Sequence, residues 1–63
     1  MPEITADESL ERRLSYENWK MYRALMSLLQ EMYEENYISY ETAVRMGAGV
    51  RNVILDRERE QNE

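Results

Sequence analysis

Cysteine and histidine are both absent from these 63 residues. Without them there can be no disulfide, thiolate nucleophile, imidazole acid–base pair or zinc-finger ligand pattern. Long hydrophobic runs are missing too. The longest, Ala24-Leu25-Met26 and Val53-Ile54-Leu55, fall far short of the ~20 residues that a membrane span requires. No glycine-rich phosphate loop is present, because Gly47-Ala48-Gly49 follows a helical pattern with no strand before it. The start, Met1-Pro2-Glu3-Ile4-Thr5-Ala6-Asp7, is acidic and lacks the basic and apolar regions of a secretory peptide. The expected location is therefore cytoplasmic.

Positive charge is also scarce. Eight Lys and Arg stand against thirteen Asp and Glu, a net charge of −5. That balance does not favour general binding to nucleic acid or to anionic lipid. The hydrophobic content of 43% is nevertheless too high for a disordered acidic tail. A chain this short forms one small domain, residues 1–63, and buries only ~60% of the surface it exposes when unfolded. Small folds offset this with disulfides, a metal or a second subunit. Association is the expected remedy here.

One element occurs twice. Leu14-Ser15-Tyr16-Glu17-Asn18 and Ile38-Ser39-Tyr40-Glu41-Thr42 share the order apolar-Ser-Tyr-Glu-polar. In each, serine can cap a helix and glutamate sits in the first turn, where the helix dipole favours it. The residue before the cap can staple onto Trp19 in one case and Ala43 in the other. Two copies are too few for a solenoid, so the pattern marks two helix starts. Thr5 and Glu8 form a third capping box, opening a short helix over about 6–14.

The first main helix is expected over about 16–36. At ~100° per residue its apolar side chains spread from Ala24 through Leu28, Met21, Met32, Leu25, Leu29, Tyr22, Tyr33 and Met26 to Trp19. Asn18 interrupts the middle of this arc, roughly 220° wide against the ~100° stripe of an ordinary surface helix. One neighbouring helix cannot cover it. Asn36 suits a left-handed cap and Asn36-Tyr37-Ile38 suffices to turn between antiparallel helices. The second helix is expected over about 40–58, with Ala43, Met46, Gly47, Val50, Val53 and Ile54 on one face. A competing reading ends it at Gly47 and starts a third helix near Val50; the single coherent stripe favours continuity, although each interior glycine costs about 1 kcal/mol. Residues 1–5 and 59–63 are expected to fray.

The fold so read is all-α, an antiparallel helical hairpin that dimerises into a four-helix bundle. The expected core is Leu14, Met21, Leu25, Leu28, Met32, Ala43, Met46, Val50 and Ile54. The expected interaction surface is Trp19, Tyr22, Met26, Leu29 and Tyr33, with Trp19 as the anchor. Charge comes in blocks: Lys20 and Arg23 are basic, while Glu31, Glu34 and Glu35 close the helix where its dipole disfavours anions. Antiparallel pairing of two copies would set these blocks against each other and select orientation.

Glu31, Glu34 and Glu35 share a face, as metal-binding carboxylates in helical bundles do, but those sites add an inward Glu-x-x-His. No metal or cofactor is expected. Nor does any walled cleft suggest paired-carboxylate hydrolysis, so no enzymatic activity is expected. The segment Thr42-Ala43-Val44-Arg45-Met46-Gly47-Ala48-Gly49-Val50-Arg51-Asn52-Val53 resembles a helix-turn-helix. That resemblance implies DNA binding, with Arg51, Asn52 and Arg57 on the recognition helix. Asp56 departs from it, standing where that family places an apolar core residue. The leading expectation is a protein–protein interaction module, a regulator, adaptor or inhibitor whose partners are a second copy of itself and a larger protein.

Overall fold

The computed structural model describes residues 7–61. Within them lie three helices, α1 (Glu8–Glu11), α2 (Tyr16–Glu34) and α3 (Tyr40–Gln61), with α2 and α3 packed antiparallel as a hairpin. The envelope is a rod of 39 × 15 × 15 Å. No described helix is long and apolar enough to cross a membrane.

Capping settles most of the element boundaries. Ser39 Oγ accepts from the Thr42 amide at 3.1 Å, the N-cap bond expected of it. Ser15 also occupies an N-cap position, but its side chain makes no cap bond. Its backbone N–H donates instead to Glu58 Oε1 at 2.9 Å, so this end of α2 is held by α3. The expected cap at Thr5 lies outside the described residues. Asp7 caps α1, accepting from Ser9 N and Leu10 N, and α1 is shorter than the expected 6–14 helix.

The turn after α2 is built on Asn36, in the left-handed region at φ 66°. The Tyr37 amide reaches Met32 O at 2.9 Å and the Asn36 amide reaches Tyr33 O at 3.1 Å. These two bonds close a Schellman motif and satisfy carbonyls that the helix end would otherwise orphan.

Helix α3 runs unbroken through Gly47 and Gly49, neither of which has positive φ. Continuity holds because a break would divide the stripe formed by Ala43, Gly47, Val50 and Ile54. Residues 59–61, read from the sequence as part of a frayed end, continue the helix. Their anchor is Asn18, whose amide donates to Glu58 Oε1 at 2.8 Å and Gln61 Oε1 at 2.9 Å.

The core gathers Leu10, Tyr22, Met26, Leu29 and Ile54, with Leu14, Leu25, Ile38, Val50 and Leu55 packed against it. Ala43 and Gly47 leave room for the larger α2 side chains. Met26 Cε lies 3.6 Å from where a Cβ on Gly47 would stand.

Candidate interaction surface

The strip expected to meet a partner faces inward. Tyr22, Met26, Leu29 and Tyr33 are buried, so they form the hairpin's own core. Trp19 is half-buried. Its ring stacks on Tyr16 at 5.8 Å, and the Arg23 guanidinium lies 5.7 Å from it. The cause is the N-terminal segment. It lays Leu10 into the core, and the Asp7 amide donates to the Tyr22 hydroxyl at 3.0 Å. This side of α2 is therefore covered from two directions, by α1 and by α3.

The expected core divides accordingly. Ala43 and Ile54 are buried, while Leu14, Leu25, Met32 and Val50 are half-buried. Met21, Leu28 and Met46 are instead exposed, at 37%, 53% and 42%, and Val53 reaches 57%. Asn18, which broke the apolar arc in the sequence, is fully buried. The inward sector of α2 is thus centred about 60° away from Leu25.

The exposed apolar residues share one side of the molecule. On α2, turning from the buried sector toward Leu25 leads to Met32, Met21 and Leu28. On α3, the same sense of rotation leads from Ile54 through Val50 to Met46 and Val53. Because the helices are antiparallel and face each other, equal senses of rotation reach the same side of the pair. The opposite side is the one that α1 covers: Glu11 pairs with Arg23 at 3.3 Å and Asp7 with Arg51 at 3.8 Å.

The uncovered side is layered. The hairpin register follows from Asn18 against Glu58 and Gln61, Met26 against Gly47, and Tyr33 against Tyr40. In that register Met21 lies level with Val53, Leu25 with Val50, and Leu28 with Met46. Toward the loop, the surface continues into a shallow groove lined by Leu28, Glu31, Met32, Glu35 and Tyr37. Tyr16, Tyr37, Tyr40 and Val44 are exposed as well, but they lie outside these layers.

The orientation charges are redistributed. Arg23 is engaged with Glu11 on the α1 side, so it does not face a partner across the uncovered side. Lys20 Nζ lies 5.1 Å from the Tyr16 ring, on the outer edge of α2. Glu31 and Glu35 line the groove, and Glu34 is exposed and points away from it. Among the described residues no group of three or more carboxylates is placed to hold a metal ion.

The helix-turn-helix resemblance is not carried by the fold, since 42–57 is uninterrupted helix with no turn at Gly47-Gly49. Two of its three expected DNA contacts also bond within the chain. Arg51 pairs with Asp7, and Arg57 Nε donates to Asn18 Oδ1 at 3.4 Å, while Asn52 is exposed. Neither protein-family models, curated proteins nor solved structures give a match to this chain.

Proposed function

We propose that the chain acts by docking onto protein, as a small helical adaptor, regulator or inhibitor in the cytoplasm, and catalyses no reaction. The observation that carries this reading is the uncovered side, where Met21, Leu28, Met46 and Val53 stand together and exposed. Contiguous apolar patches rimmed by charge mark interaction sites, whereas scattered apolar residues do not. Methionine suits such a surface because its unbranched thioether adapts to different neighbours. Two hollows among the described residues favour docking over chemistry. The one between α1 and α2 is lined by Glu8, Glu11, Arg12 and Trp19, and both are open to solvent. The acidic net charge suits a basic partner face.

Capture on immobilised protein tests the reading when wild type is compared with a Leu28→Lys, Val53→Lys double variant. Proteins retained by wild type, itself included, should be lost from the variant. Retention indifferent to those substitutions would contradict the reading.

A further inference from the structure

We infer that the occupant of the uncovered side is a second copy of this chain, packed through a two-fold axis that crosses the hairpin at the level of Leu25 and Val50. The inference rests on the docking reading and names its partner.

The layer order carries it. Leu25 and Val50 form the middle layer, with Met21 and Val53 on one side of it and Leu28 and Met46 on the other. A two-fold axis lying in the interface at that level sets α2 antiparallel to its counterpart, and α3 likewise. It then superposes the Met21–Val53 layer of one copy on the Leu28–Met46 layer of its partner. Every exposed apolar layer finds an apolar layer opposite, which an isologous interface requires. The product is a four-helix bundle, whose core the two hairpins share.

Size agrees as well. One long side of a 39 × 15 Å envelope offers on the order of 600 Å² per copy, at the lower end of what standard specific interfaces bury per partner.

Sedimentation equilibrium of the full chain, from sub-micromolar to hundreds of micromolar, tests the inference. Wild type should approach twice the 7.6 kDa chain mass in the tens of micromolar. Leu28→Lys should keep its helical circular dichroism, because Leu28 is exposed in the monomer, and raise the dissociation constant about tenfold or more. A wild type that stays monomeric throughout the range overturns the second copy. If Leu28→Lys, Val53→Lys still abolishes capture of another protein by that monomer, the docking reading stands alone; if it does not, both fall. A wild-type dimer that Leu28→Lys leaves intact overturns the assignment of this side.

Discussion

Asn18 Nδ2 donates to Glu58 Oε1 at 2.8 Å, tying the first turn of α2 to the far end of α3. The same glutamate oxygen accepts the Ser15 amide, and Asn18 also holds Gln61 and receives Arg57. A buried polar side chain is costly unless its hydrogen bonds are made. Among the described residues no buried side-chain nitrogen or oxygen lacks a partner. Asn18→Ala should therefore cost about 1–3 kcal/mol in urea or thermal denaturation. Amide exchange at residues 59–61 should accelerate with it. Unchanged exchange there would show that α3 holds its last turn without Asn18.

A second clamp joins α1 to the hairpin. Tyr22→Phe keeps the buried ring but removes the acceptor for the Asp7 amide. It should cost about 1 kcal/mol and speed exchange at Leu10 and Glu11 more than in α3. Asp7→Ala should cost a similar amount, about 1 kcal/mol, through loss of the N-cap. If neither substitution alters exchange in α1, the covering of the Trp19 side does not depend on these bonds.

The glycines test whether α3 is continuous. A Cβ on Gly47 would meet only Met26 atoms, at 3.6 and 3.9 Å, and one on Gly49 would meet nothing within 4 Å. Both substitutions to alanine should raise stability by up to about 1 kcal/mol each in dilute protein, through helix propensity alone. A helix that broke at Gly47 would need left-handed backbone there, and alanine would then destabilise. Equilibrium denaturation distinguishes the two signs.

Absence of native cysteine makes a register probe available. A single Leu25→Cys places one thiol per chain beside the proposed two-fold axis, so a disulfide can form only between copies. Mild oxidation should give covalent dimer on a non-reducing gel, whereas Glu41→Cys, on the outer face of α3, should not. Equal cross-linking at both positions would indicate random collision.

Local rules make the helices legible in the sequence. The repeated Ser-Tyr-Glu starts, the Asn36 cap and the stripe through Gly47 each follow from interactions within a few residues, and each locates an element correctly to within a few positions. Position 15 departs in part: its side chain makes no cap bond, and its amide is held by Glu58, forty-three residues away. The division of α2 into inward and outward strips was not legible for the same reason. Periodicity gives the width of the arc but not its facing, which depends on where α1 lies and on Asn18 being buried. A polar residue inside an apolar arc was the available signal, and its partners Glu58 and Gln61 stood in a stretch that composition alone reads as a solvated end.

A second copy of the chain is proposed to cover Met21, Leu28, Met46 and Val53. The most direct test is isotope-filtered nuclear Overhauser spectroscopy on a mixture of labelled and unlabelled chains. Met21 and Leu28 lie seven residues apart on one helix, about 10 Å along its axis, so close contact between their methyl groups must come from different molecules. Met21–Leu28 cross-peaks between labelled and unlabelled chains are expected. A concentrated sample showing none, with Met21 and Leu28 methyls still accessible to a soluble paramagnetic probe, would contradict that covering.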